Sequence, residues 1–173
     1  MTGKLVIPKR FYFIIAASLL AIVLVSFTIG REMYADKTES IYSFAIIHFS
    51  GYLFFLLMPV EIAFLYYLPF YSNAELIAAA LGTAIAAQLI DYSIGLLIRP
   101  RKIRNWIGQN RITKAEALIR RYGLVTIFLF NLLPLSSPIM ALVAGMIKIN
   151  FRHFLLASSL GLLLKYLLLS WFF

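Results

Sequence analysis

Apolar residues along this chain come in five long runs, and the polar positions fall mostly between them. The runs are residues 11–30, 41–71, 74–98, 123–147 and 154–173. A run of about 20 apolar residues is long enough to cross a bilayer as a helix. Residues 11–30 follow Lys4, Lys9 and Arg10 and end at Gly30. A secretory leader has a shorter apolar region and a small-residue cleavage site, so the pattern predicts a retained first transmembrane helix. Residues 41–71 carry Glu61 as their only formal charge and contain Pro59 and Pro69. Proline removes a backbone donor and breaks a straight helix, so this run reads as two pieces around Pro59. Residues 74–98 are alanine-rich and interrupted by Gln88 and Asp91. Residues 123–147 are uncharged but hold Pro134 and Pro138. Residues 154–173 enclose Lys165.

The segment between the third and fourth runs is different. Residues 99–122 carry Arg99, Arg101, Lys102, Arg104, Arg111, Lys114, Arg120 and Arg121 against Glu116 alone. Thr113 and Glu116 have the T-x-x-E spacing of a capping box, ahead of Ala115, Leu118, Ile119 and Tyr122 on one face. The expectation is a basic amphipathic helix on the inner leaflet.

Basic connections stay cytoplasmic, and this rule constrains the crossings. With a cytoplasmic N-terminus, helix 11–30 leaves residues 31–40 outside. If 41–71 crossed once, the basic segment 99–122 would also lie outside. If 41–71 instead enters the membrane and returns, 74–98 runs inward and the basic segment is cytoplasmic. Lys148 and Arg152 ask the same of 123–147, and helix 154–173 then exits. The predicted fold is an all-α integral membrane protein, a single membrane domain over residues 1–173. It is an inverted repeat of re-entrant helical hairpin plus transmembrane helix, an arrangement that brings two broken elements together near the midplane. Two kinked full spans are the simpler alternative.

Composition supports the class. The chain is 62% hydrophobic and 13% charged over 173 residues, more apolar surface than a soluble domain of this size can hide. The net charge of +9 fits cytoplasmic loops and anionic headgroups better than nucleic acid. Without cysteine there is no disulfide, thiol nucleophile or thiolate-bound metal.

Charges at membrane depth are expensive and face protein or water. Glu61, directly after Pro59 and Val60, is therefore a candidate proton carrier, or a carboxylate that satisfies free amides at the hairpin turn. Gln88, Asp91 and Gly95 share one helix face with Ala84, either a packing seam or a cavity wall. Asp91 is either a transport acid or the partner of a cation or serine. Lys165 shares a face with Ser158 and Gly161 and needs a counter-ion. Glu61 and Asp91 both qualify, and an anion-binding role competes with a permanent ion pair. Asn131, Pro134, Ser136, Ser137 and Pro138 form the second break, where hydroxyls and amides either satisfy the hairpin or meet a headgroup. His48 and His153 have no carboxylates beside them, so no metal or other cofactor is expected.

Arg121-Tyr122-Gly123, then Asn131-Leu-Leu-Pro134-Leu-Ser-Ser-Pro138, then Ala144-Gly145 and Phe151, resemble the DedA superfamily, whose domain is also called VTT or SNARE-associated. Pro59-Val60-Glu61 is similar to its "P-x-E" motif and Tyr92-Ser-Ile-Gly95 to its "Y-x-I-G". The resemblance covers about residues 41–173. It implies a lipid translocase with two opposed re-entrant hairpins. The family often has arginine where this chain has Asn131, and again near Ser137; in bacterial members those arginines are thought to handle a polyprenyl phosphate. The two-proline pattern is more similar to the branch that includes eukaryotic phospholipid scramblases. Arg121 or Lys165 would then supply the positive charge.

The resulting expectation is a non-enzymatic flippase or scramblase for a phospholipid or polyprenyl-phosphate-type lipid, proton-linked through Glu61 and Asp91. Asn131, Pro134, Ser137 and Pro138 would line the path, with Glu61 facing the second break. Membrane lipids with anionic headgroups are the expected partners, nucleic acid is not, and a homo-oligomer is left open. The expected location is the cytoplasmic membrane of a prokaryote, with the N-terminus inside and the C-terminus outside. A proton-coupled carrier of a small solute and a non-transporting assembly subunit are the alternatives.

Overall fold

The computed structural model describes residues 40–53, 60–133 and 137–173, apart from the Trp106 side chain. The expected first helix 11–30, Pro59, Pro134 and Ser136 lie outside the described residues. Among the described residues the chain is all-helical. The helices are α1 (Ile41–Leu53), α2 (Val60–Tyr67, continued by a 3-10 turn at Leu68–Phe70), α3 (Asn73–Leu97), α4 (Pro100–Ile107), α5 (Gln109–Tyr122), α6 (Leu124–Leu132), α7 (Ser137–Met146) and α8 (Phe151–Phe172).

Two lengths recur. α3 and α8 have 25 and 22 residues, about 37 and 33 Å at about 1.5 Å per residue. Both are long and apolar enough to cross a membrane. By contrast α1, α2, α6 and α7 have 13, 8, 9 and 10 residues. The described part of α1 reaches about 20 Å by the same rise, against the roughly 30 Å hydrocarbon core.

The short helices pack on the long ones: α1 and α7 on α3, and α6 on α8, while α3 and α8 also touch. Glycine sets two of these approaches. At Gly95 of α3, a Cβ would strike the Leu142 carbonyl of α7, and at Gly145 of α7 it would strike the Tyr92 carbonyl of α3. Backbones this close require residues without side chains. Gly161 plays the same part where α8 meets Phe128 and Asn131 of α6. Tyr92 then ties the α7–α8 connection to α3. Its hydroxyl donates to the Ile149 carbonyl at 2.6 Å, and its ring stacks on Phe154 with centroids 4.9 Å apart.

Helix ends follow local chemistry. Ser72 and Glu75 form a full capping box at the start of α3, and Asn150 caps α8 by accepting from the Arg152 and His153 amides. The capping box expected at Thr113 is corrected. Thr113 lies inside α5, which begins at Gln109 after Gly108, and the Thr113 hydroxyl faces the Gln109 amide. Glu116 instead binds Arg104 of α4 at 2.8 Å and Arg120 one turn on at 2.9 Å. The basic segment is thus two helices rather than one, joined at Gly108, whose φ of 106° suits glycine. The buried face of α5 is Ile112, Ala115 and Ile119, while Tyr122 is 52% exposed.

Candidate functional site

Two clusters of buried polar side chains sit against α3 and α8. The first lies where α1 and α2 meet α8 within an apolar core of Phe44, Phe64, Leu76 and Leu162. Lys165 Nζ lies 2.8 Å from Glu61 Oε1, with side-chain exposures of 6% and 19%. Lys165 also donates to the Tyr52 hydroxyl at 2.6 Å, and its ammonium lies 5.3 Å and 5.1 Å from the Tyr52 and Tyr166 ring centroids. A buried cation therefore has a carboxylate, a hydroxyl and two aromatic rings to replace its water. Tyr52 and Tyr166 hydroxyls are 3.1 Å apart, the Tyr166 hydroxyl is 2.7 Å from His48 Nε2, and His48 Nδ1 is 2.8 Å from the Thr83 hydroxyl. Six polar side chains thus form one unbroken chain from α2 to α3.

His48, Tyr52, Thr83 and Tyr166 were not among the residues singled out from the sequence for this site. Their signal was present: His48 and Tyr52 are four apart, hence on one face of an apolar helix, and Tyr166 adjoins Lys165. Of the two counter-ions open to Lys165, the structure selects Glu61.

The second cluster lies where α3 meets α6 and α8. Gln88 Nε2 donates to Asn131 Oδ1. Asn131 Nδ2 donates to the Ile127 carbonyl at 2.9 Å and faces the Ser158 hydroxyl at 3.4 Å. Asp91, one turn along α3 from Gln88, is 1% exposed. Neither of its carboxylate oxygens has a hydrogen-bond partner among the described residues, and Gln88 Oε1 has none either. Ser137 is buried at the start of α7, next to the partly buried Pro138. Arg121 is exposed on α5, its guanidinium 5.1 Å from the Tyr122 ring centroid. No described hydrogen bond joins Glu61 to the second cluster. Ser158 and Lys165 lie on the same buried face of α8, two turns apart.

Among the described residues no group of three or more His, Cys, Asp or Glu side chains is placed to hold a metal ion. The site's chemistry is that of carboxylates, an ammonium, hydroxyls and amides in an apolar frame. Such groups can hold or pass protons and can exchange hydrogen bonds with a polar headgroup.

The model of the VTT domain matches residues 41–173. Two curated relatives match at 29% identity over 99 residues, in each case 51% of this chain and 46% of the relative. They are the proteins called "Alkaline phosphatase-like protein" of Lactococcus lactis subsp. lactis (strain IL1403) and of Lactococcus lactis subsp. cremoris (strain MG1363). The match spans about half the length of these relatives. No solved structure matches the chain. The domain match covers every described helix, so the chain belongs to the VTT-domain family, the DedA family of membrane proteins.

Proposed function

We propose that this protein is a lipid translocase, a flippase or scramblase for a phospholipid or polyprenyl-phosphate-type lipid, proton-linked through Glu61 and Asp91. The observation that carries the reading is the coincidence of short helices and buried polarity. Each cluster sits where helices whose described lengths fall short of a crossing meet a helix long enough to make one. Short helices at membrane depth need protein or a water-filled cavity beside their ends. In this reading α1–α2 and α6–α7 are re-entrant hairpins of an inverted repeat, entered from opposite sides. The basic α4–α5 segment is cytoplasmic and the C-terminus is outside.

The two polar clusters would then line a path for a headgroup while the acyl chains remain in lipid. Asn131, Ser137 and Pro138 line its inner part. Glu61 and Lys165 form a gate that opens when Glu61 takes a proton and releases the ammonium. Asp91 and Gln88 offer acceptor oxygens without donors among the described residues, which suits a proton on Asp91 or a donor-bearing headgroup. Arg121 and its basic neighbours gather anionic headgroups, each worth about 1 kcal/mol near the surface. No reaction chemistry is part of this reading.

The test is headgroup-resolved transport with the purified chain in vesicles carrying fluorescent phosphatidylglycerol or phosphatidylethanolamine. Wild type should exchange labelled lipid between leaflets, and Glu61→Gln should change the rate and its pH dependence. Absence of lipid exchange in wild type, together with saturable uptake of a water-soluble solute, would replace this reading with a solute carrier.

A further inference from the structure

Three buried oxygens on α3, beside the end of α6, face no donor among the described residues, and the amides around them have fixed orientations. A carbonyl only accepts, so the Asn131 atom 2.9 Å from the Ile127 carbonyl is its amide nitrogen. Asn131 Oδ1 therefore faces α3 and accepts from Gln88 Nε2. With that nitrogen committed, Gln88 is left with Oε1, which no described donor reaches. Asp91, three residues on, shares the buried helix face. Neither of its oxygens has a described donor, and Gln88 and Asp91 are each 1% exposed. None of the ion pairs among the described residues includes Asp91. Lys165, two turns along α8 from Ser158, is committed to Glu61 and Tyr52.

The end of α6 adds to this acceptor-rich surface. α6 stops at Leu132, and the backbone nitrogen that would continue the ladder to the Phe130 carbonyl belongs to Pro134, which carries no proton. The last carbonyls of a helix also carry the negative end of its dipole. We infer that Asp91, Gln88 and the C-terminal end of α6 form a binding site for one sodium ion. Carboxylate, amide and backbone carbonyl oxygens are the ligands a hard cation takes, and the C-terminal ends of broken membrane helices hold such ions in transporters. A single carboxylate calls for a single positive charge, because a divalent ion would leave a net charge buried in apolar surroundings. Such a site has no need of several His, Cys, Asp or Glu ligands.

Size favours the bare ion over a lipid ammonium. One turn from Asp91, α3 and α7 touch backbone to backbone at Gly95 and Gly145, where not even a Cβ fits. Asn131 is a positioning residue here. Its bond to the Ile127 carbonyl sets its own amide, and its Oδ1 then holds Gln88 in the orientation that presents Oε1. Sodium on Asp91 neutralises the second cluster without a proton, so the charge beside Asn131 and Ser158 changes by one when the ion enters or leaves.

The site stands on its oxygens, while its link to transport rests on the function proposed above. The test uses the full chain purified in a neutral maltoside detergent, with sodium chloride exchanged for choline chloride at constant ionic strength. Wild type should bind one equivalent of sodium-22 at saturation. Its thermal unfolding midpoint should rise with sodium over the same range, because a ligand bound only by the folded state stabilises it. Asp91→Asn keeps the shape of the side chain, and it should bind no sodium and unfold at one midpoint in both salts. Asn131→Leu should weaken binding by about 10- to 100-fold, the range for a group that orients a metal ligand. Gln88→Met, which keeps the length and removes the oxygen, serves if that variant misfolds. A folded wild type that binds no sodium overturns the site, and so does wild-type binding in Asp91→Asn. Ethanolammonium chloride raising the midpoint as sodium does would give the oxygens to a lipid ammonium and overturn the sodium assignment. In vesicles with fluorescent phosphatidylglycerol, replacing sodium by choline should change the wild-type rate of lipid exchange and leave that of Asp91→Asn unchanged. Equal wild-type rates in the two salts overturn the link to transport. If wild type binds sodium but moves no lipid, the transport reading fails and the site stands.

Discussion

The two buried polar clusters are built on opposite plans. Around Lys165 each polar side chain has a hydrogen-bond partner, and a cation is matched by a carboxylate, a hydroxyl and two rings. Around Asp91 acceptors outnumber donors, and three buried oxygens have no hydrogen-bond partner among the described residues. The difference shows that burial alone does not decide what a polar group does in an apolar frame. A satisfied network stabilises one arrangement and resists change. An acceptor-rich cluster is costly as a carboxylate and becomes cheaper when a proton or a donor arrives. On the function proposed above, the first cluster would be the lock and the second the group that responds.

Removing one charge from the lock should have the largest effect. Lys165→Met leaves Glu61 without its cation, and Glu61→Gln leaves the ammonium without its carboxylate. Each should cost about 3–5 kcal/mol, the scale for breaking a buried pair by removing one partner. Glu61→Gln combined with Lys165→Met should recover a large part of that loss. Thermal unfolding in detergent checks this, and a double variant as unstable as both singles combined would break the account of the pair.

Next in size is the close approach that holds the second cluster. Gly161→Ala would push α8 away from the Phe128 carbonyl and the Asn131 side chain. The expected loss is about 1–3 kcal/mol, as for overpacking a tight contact. Wild-type stability in that variant would show that α6 and α8 can separate freely.

The sharpest comparison is between two conservative changes. Tyr166→Phe removes a hydroxyl that bonds on both sides, at a cost of about 1–3 kcal/mol. Asp91→Asn removes a carboxylate charge that no donor faces among the described residues, so it should be neutral or stabilising by about 1 kcal/mol. If Asp91→Asn destabilises more than Tyr166→Phe, the contrast between the clusters is wrong. The smallest effect is expected on α4–α5. Arg104 and Glu116 are 27% and 18% exposed, so Arg104→Ala should cost about 0.5 kcal/mol, within the range for pairs open to water.

Much of the helical layout was legible in the chain because lipid imposes strict rules. The apolar runs 74–98 and 154–173 correspond to α3 and α8 within a few residues, since long apolar stretches leave few alternatives to a helix. The runs 41–71 and 123–147 each became two short helices, consistent with prolines inside them. The shared face of Ser158, Gly161 and Lys165 was also legible, because helical spacing alone places residues three and four apart together. The T-x-x-E signal at Thr113 misled because a capping box is a local pattern. The start of α5 was decided by Gly108 and by the arginines competing for Glu116.

By itself the sequence determined the class of protein, the long helices, the basic segment and the fact that Glu61, Asp91 and Lys165 would need partners. Those properties depend on composition and on spacing along one helix. The tertiary structure decided which partner each charge received. Lys165 took Glu61 rather than Asp91 because α2 packs beside its turn of α8, a choice made by residues 104 positions apart in the chain. It also brought His48 of α1 to Tyr166 of α8, 118 positions away. No helical period encodes such a meeting; only the packing of one helix against another produces it.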